Sequence, residues 1–356
     1  MNQKIPATAQ RELTSLRELS ARIGRDPLLT QGSTGNSSIK LDGVLWIKAS
    51  GKWMADAAHE DILTPVDLAE VQARVKQRRD PAERFARASI ETAMHAVMPH
   101  RVVVHVHCVN TIAWAVRQDA QIQLERRLDG LRWRWISYVA SGLPLAGAIE
   151  RALSGFPTSD VLVLGNHGLV VGGDDCDAVE DLLFRVQQRL AICPRPGCGT
   201  DYAALAEIAE GSKWDLPDDD AVHALGTDAI SRSVISGGLL YPCQSMFSDS
   251  STPGLFRPVP CPDPKDQWEN RCGARTFLII EGRGVIVRRT MTPVQRAMLS
   301  GLAQVIQRTS SSAPVRYLTE EEAAHSSSII TSRYLEPANR YGSCAANSLR
   351  QSVPAG

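Results

Sequence analysis

The run "VVVHVHC", residues 102–108, constrains this chain more than any other stretch. Its valines read as a core strand. Side chains at i and i+2 of a strand share one face, so His105 and His107 lie side by side. Two imidazoles at that spacing are either core histidines satisfied by hydrogen bonds or a pair that reaches a single metal ion. An open catalytic metal site typically takes three protein ligands. The stretch "GNHG" at 165–168 supplies a third histidine, His167, in a tight turn between two apolar segments.

A metal site that does chemistry also needs a group that moves protons. Glu91 in "SIETAMH" is the candidate. The pattern over 82–98 predicts a helix running into the histidine strand, with Glu91 beside Ile90 and Met94. In apolar surroundings its ionised form is disfavoured unless a cation is near. The competing reading is a glutamate on a solvated helix face. His95, one turn further, shares that face. It reads as a helix-packing residue or as one that supports the site from behind.

Elsewhere the periodicity alternates between helix and strand. Leu13, Leu16, Leu19 and Ile23 predict an amphipathic helix over 9–24. The polar, Gly-rich "LLTQGSTGNSSIK" precedes a short strand in "GVLWIKASG", and such a turn can present N–H groups to an anion. "LTPVDLAEVQARV" predicts a helix with Thr64 as N-cap and Pro65 at its first position. A helix is expected around 143–154. Two strands follow in "DVLVLGNHGLVVGG", joined by a turn at Asn166–His167–Gly168, and then a long helix in "DAVEDLLFRVQQRLAI".

The composition changes near 193, where Cys193 and Cys198 in "CPRPGC" read as a loop carrying two thiols. Beyond it come a proline-rich loop at 253–267, a hairpin in "TFLIIEGRGVIVRR" turning at Gly282–Gly284, and a helix opened by Thr292 and Pro293. The expected organisation is a catalytic domain at 1–195, a smaller accessory α/β domain at 196–340 and a Ser/Ala/Gly-rich tail at 341–356.

Lys plus Arg and Asp plus Glu both number 39, so no net field draws nucleic acid or an anionic membrane. The clusters "KQRRD" and "ERRLDGLRWRW" read as solvated helix faces. No window approaches the roughly 20 apolar residues of a membrane span. The first residues lack the apolar stretch of a signal peptide and the cysteines are scattered, which together predict a reducing, cytoplasmic setting. No G-x-G-x-x-G follows a strand in 196–356, which argues against nicotinamide chemistry.

In order and spacing, "QGSTGNSS", "ASG" after a strand, "SIETAMH", "VHVHC" and "LGNHGLVVGG" resemble the class II aldolase/adducin family over residues 10–195. That family includes fuculose-phosphate and rhamnulose-phosphate aldolases, ribulose-phosphate 4-epimerase, decarboxylases and dehydratases. The resemblance implies a three-layer α/β/α fold around a largely antiparallel central sheet, here with the smaller C-terminal α/β domain added. It also implies assembly as a homo-oligomer, often a cyclic tetramer.

His105, His107 and His167 match the family's metal ligands, and Glu91 its acid/base glutamate. Asn36, Ser50, Gly51 and Ser89 fall where relatives cradle the substrate phosphate. Read locally, Asn36 equally caps its Gly-rich turn, Ser50–Gly51 equally ends a strand, and Lys48 either adds charge there or faces solvent. The implied cofactor is a divalent metal, zinc first, with manganese or iron as alternatives.

The implied activity is a lyase that cleaves or forms a C–C bond in a sugar phosphate or similar hydroxy-ketone through a metal-stabilised enediolate. One alternative is decarboxylation of a 3-oxo sugar acid at the same site. The alternative of another class is a non-catalytic, adducin-like binding module, which has no need of three histidines and Glu91. A glutamate at 91 also argues against the epimerase, which resembles this chain but carries Asp there. "GVLWIKASG" and "SIETAMHAVMPH" look most like rhamnulose-phosphate aldolase-type proteins fused to a dehydrogenase. Longer members carry "YPD" where this chain has Tyr241, Pro242 and Cys243.

Overall fold

The computed structural model describes residues 6–155, 159–197, 199–247, 256–260, 275–310 and 313–330. Cys198, most of the proline-rich loop at 253–267 and the predicted tail lie outside them. The chain forms two compact units, Met1–Ile192 and Cys193–Gly356.

The first unit runs α1 (Ala7–Arg25), β1 (Asn36–Leu41), β2 (Val44–Lys48), β3 (Leu63–Asp67), α2 (Leu68–Lys76), α3 (Thr92–Val97), β4 (Val102–Val106) and α4 (Val109–Ala115). It continues with α5 (Ala120–Arg127), β5 (Trp133–Ile136), α6 (Leu143–Ser154), β6 (Val161–Leu164), β7 (Gly168–Gly173) and α7 (Cys176–Leu190). The seven strands form one sheet in the order β3-β2-β1-β4-β7-β6-β5. Every pairing is antiparallel except the parallel β5–β6 edge.

The valine strand β4 is central and buried along its whole length. Val102, Val104 and Val106 enter the core that holds Leu13, Leu16 and Leu19 of α1 and Val179, Leu183 and Val186 of α7. Val103 packs on the other side with Met94 of α3 and Leu145 and Ile149 of α6. Each such side chain contributes about 1.5–3 kcal/mol on burial, so helices on both faces hold the sheet as the middle of three layers. His105 lies on the Val103 face by strand alternation.

Register then fixes its neighbours. In the antiparallel β1–β4 ladder Asn36 stands opposite His105 and Ser38 opposite Val103, so these side chains share that face. Ser37 points the other way, where its hydroxyl meets Ser20 of α1 at 2.6 Å.

Two predicted helices are corrected. Thr64 and Pro65 do not open a helix: Leu63–Asp67 is the edge strand β3, with Pro65 opposite Trp46. On an edge strand the missing proline N–H costs no ladder bond. The helix starts at Leu68, and Asp67 caps it by accepting from the Glu70 N–H at 2.8 Å. The predicted helix over 82–98 shrinks to Thr92–Val97, preceded by a 3-10 turn at Pro81–Glu83 and a bridge between Ala88 and Ala49. That bridge holds Ala88, a buried residue, in extended pairing and out of the helix. Glu91 is therefore the residue that begins α3 and not one on its flank.

The second unit contains α8 (Tyr202–Ala209), β8 (Trp214–Asp215), α9 (Ala224–Thr227), α10 (Ala229–Ser236), β9 (Phe277–Ile280), β10 (Gly284–Arg288), α11 (Pro293–Arg308) and α12 (Glu320–Ile330). Its sheet is antiparallel in the order β8-β10-β9. Leu205 and Ile208 of α8 pack on Trp214, Leu278, Ile280 and Ile286. The hairpin appears where predicted, and Thr292 opens α11 with a capping box to Gln295. Among the described residues no helix is long and apolar enough to cross a membrane.

Candidate metal centre

Three short segments converge at one end of the sheet. Strand β4 delivers His105, the residue after its end delivers His107, and the β6–β7 turn delivers His167. Asn166 allows that turn by adopting φ of 51°, a left-handed conformation that asparagine tolerates better than most residues. Gly168 permits the close approach that follows: a Cβ there would stand 2.5 Å from the Val106 carbonyl and 3.2 Å from His105 Cε1.

The three buried rings have centroids 4.9, 5.0 and 5.2 Å apart and meet edge-on at 70–74°. Their candidate ligand nitrogens lie within 4.8 Å of one another. His105 Nδ1 is 3.0 Å from the Leu169 carbonyl. A carbonyl only accepts, so Nδ1 carries the proton and Nε2 presents a bare lone pair, the tautomer a metal needs. Burial pushes His105 down to about 4 and His107 well below its ordinary value. Neutral rings with converging lone pairs fit a divalent metal ion.

Glu91 completes the cluster. Its Oε2 lies 3.4 Å from His105 Nε2 and its Oε1 3.3 Å from His167 Nε2. Asn36 Nδ2 donates to Oε2 at 2.8 Å and to the Ser89 hydroxyl at 3.2 Å. The Ser141 hydroxyl stands 3.5 Å from Oε1. Burial penalises the carboxylate, but the imidazoles around it, His105 foremost, outweigh that and hold it well below the usual range.

Asn36 and Ser89 thus meet at Glu91. Ser50 and Gly51 lie on the neighbouring loop, half-buried, with the Ser50 N–H on the Arg87 carbonyl at 2.9 Å and Gly51 at φ of 75°. Lys48 does not face solvent. Its buried ammonium donates to the carbonyls of Ser33 at 3.0 Å and Lys52 at 2.7 Å, tying the Gly-rich loop to the Ser50–Gly51 loop. Ser141 was not singled out from the sequence, because nothing local marks that loop as adjacent to residue 91.

Burial drives the Lys48 pKa down from its ordinary 10.5 to about 7, with Glu91 partly offsetting the shift. Between those values the unfolded chain binds a proton that the folded chain does not, so folding stability rises with pH across that window. Lys48→Met removes this dependence. Urea unfolding at pH about 7 and about 9.5 should show the wild type gaining on the variant at the higher pH. An equal gap at both pH values would mean that Lys48 titrates normally.

This fold and this histidine set define a three-layer α/β/α protein built around a candidate metal centre. Residues 16–192 match the model of the Class II Aldolase and Adducin N-terminal domain, and that segment of the chain belongs to this family. Over 175 residues the chain is 26% identical to the uncharacterized oxidoreductase YuxG of Bacillus subtilis (strain 168), an alignment covering 43% of this chain. The chain spans about a quarter of that relative, 25% of its length.

Among solved structures, the N-terminal class II aldolase domain of a conserved protein from Thermoplasma acidophilum is similar at 22% identity and a TM-score of 0.45. That match covers 53% of this chain and 97% of the other. The L-fuculose-1-phosphate aldolase from Thermus thermophilus is similar at 16% identity and a TM-score of 0.38, over 51% of this chain and 91% of the other.

Proposed function

We propose that the first unit is a divalent-metal-dependent carbon–carbon lyase acting on a sugar phosphate or similar hydroxy-ketone. The observation that carries this reading is the convergence of three buried imidazoles with one buried carboxylate, 3.3–3.4 Å from two of them. His105, His107 and His167 would hold the ion, zinc first and manganese or iron as alternatives. A bound divalent ion would stabilise negative charge developing on substrate oxygens as the C–C bond breaks.

The chain's own residues supply the rest. In the cleavage direction the ionised Glu91 carboxylate would take the proton of the substrate hydroxyl as that carbon becomes a carbonyl, the C–C bond electrons would pass to the neighbouring ketone fragment, and Glu91 would return the same proton to that fragment's carbon. Asn36 donates to Oε2 at 2.8 Å, and Oε1, which faces His167 Nε2 and only the longer 3.5 Å Ser141 contact, is the oxygen assigned to carry the proton. Ser50, Gly51 and Ser89, with Asn36 beside them, would hold the phosphate. Contacts remote from the breaking bond orient the substrate there.

Ser50→Ala should raise KM for a phosphorylated ketose about tenfold with kcat nearly unchanged. An unchanged KM would remove Ser50 from the phosphate cradle. The reading itself is tested by assaying ketose 1-phosphates for release of an aldehyde, and 3-oxo sugar acids for release of carbon dioxide. Carbon dioxide release alone would favour the decarboxylase. Turnover of neither class, in metal-loaded protein, would favour an adducin-like binding module. Among the described residues Cys108, Cys176 and Cys193 are free thiols, which fits a reducing, cytoplasmic setting. A homo-oligomer is proposed on the family resemblance.

A further inference from the structure

Behind Glu91 a line of buried polar groups has only one self-consistent arrangement of protons. Asn36 touches Glu91 Oε2 at 2.8 Å through one end of its carboxamide and His95 Nε2 through the other. His95 Nδ1 lies 2.7 Å from the Ser38 hydroxyl. All four side chains are buried, His95 completely. An ionised carboxylate accepts only, so the Asn36 NH2 group must face Glu91. The Asn36 oxygen then faces His95, which must donate from Nε2. Nδ1 is left without a proton and accepts from Ser38. The reversed carboxamide would press oxygen against carboxylate oxygen at 2.8 Å, an unpaired buried contact that costs on the scale of a lost charged hydrogen bond.

Two local rules coincide to build this line. Ser38 and Asn36 alternate onto one face of β1, and His95 stands one helical turn after Glu91. Burial pushes His95 down to about 3, so the ring is neutral and can donate from one nitrogen only. None of these groups belongs to the histidine cluster, although Asn36 stands opposite His105 in the β1–β4 ladder.

We propose that His95 is a positioning residue: in its Nε2–H tautomer it fixes the Asn36 carboxamide, which holds Glu91 by Oε2 and leaves Oε1 as the oxygen that moves the proton. The inference rests on the lyase reading for its catalytic meaning, but its geometry is testable without turnover. Nitrogen NMR of the metal-loaded protein reads the His95 tautomer directly. The carboxylate stretch of Glu91, isolated as the infrared difference against Glu91→Gln in each background, reads its hydrogen bonding.

The expected results are an Nε2–H tautomer in the wild type and a shifted Glu91 stretch in His95→Leu that returns in His95→Gln, whose amide can donate in place of the ring. With a substrate in hand, His95→Leu should lose about 10- to 100-fold in kcat, with metal content retained. An Nδ1–H tautomer, or a Glu91 stretch unmoved in His95→Leu, overturns the proposal whether or not any sugar phosphate is cleaved. Should His95→Leu fail to fold, Ser38→Ala removes only the far hydroxyl, and the same stretch must shift in the same direction; a stationary stretch there overturns the relay. Absence of turnover with a confirmed tautomer and a shifted stretch would refute the lyase reading and leave the relay standing.

Discussion

Glu91→Gln abolishes most turnover, by about 10²- to 10⁴-fold in kcat, while the protein keeps its metal and its fold. The substitution preserves volume, and the glutamine oxygen can still accept from Asn36 Nδ2, which now donates to Oε2 at 2.8 Å. What it removes is an oxygen that can take and return a proton. Because residue 91 stands at the start of α3 and contributes no side-chain cap, the change should leave that helix intact. Metal content is read on the same sample as kcat. Wild-type turnover in this variant would show that Glu91 only balances charge near the histidines, and the proton would have to travel by another group.

The second large effect concerns His107. Its ring is buried, and its Nε2 lies 3.0 Å from His105 Nε2. His105 donates its single proton to Leu169, so its Nε2 is a bare acceptor to which His107 Nε2–H donates, and an ion held between the rings would displace that proton. A bound ion therefore stabilises the folded unit by linkage, about 2.7 kcal/mol when free metal exceeds the dissociation constant a hundredfold. For a unit of this size that is a rise of roughly 5–10 °C in Tm. Chelation should lower the wild-type Tm by such an amount. In His107→Ala a chelator should have little effect, since the ligand set is already broken. An equal response in both proteins would place the metal elsewhere.

The part of the site carried by local spacing was legible in the sequence. His105 and His107 follow from strand alternation, and His167 from a Gly-flanked turn between apolar strands. Glu91 was legible as a candidate, although its position at the head of α3, and not on a long helix, depends on the bridge between Ala88 and Ala49. The Asn36–His95 contact was not legible, because it needs the β1–β4 register together with the seating of α3. Lys48 was ambiguous for a similar reason: "IKASG" does not reveal that two loops fold back to offer it carbonyls. In the fold, "LTPVDL" carries the marks of a helix start, yet β2 captures Leu63–Asp67 as its edge partner and moves the start to Leu68. Tertiary pairing overrode a sound local signal.

The central claim is that the valine strand carries histidines because they hold an ion. Metal content per chain, measured by mass spectrometry on wild type and His107→Ala purified side by side from metal-supplemented medium, tests it most directly. About one equivalent in the wild type and a trace in the variant is the predicted result for a three-ligand site. The same content in both, or none in metal-supplemented wild type, would make His105 and His107 core histidines and contradict the account.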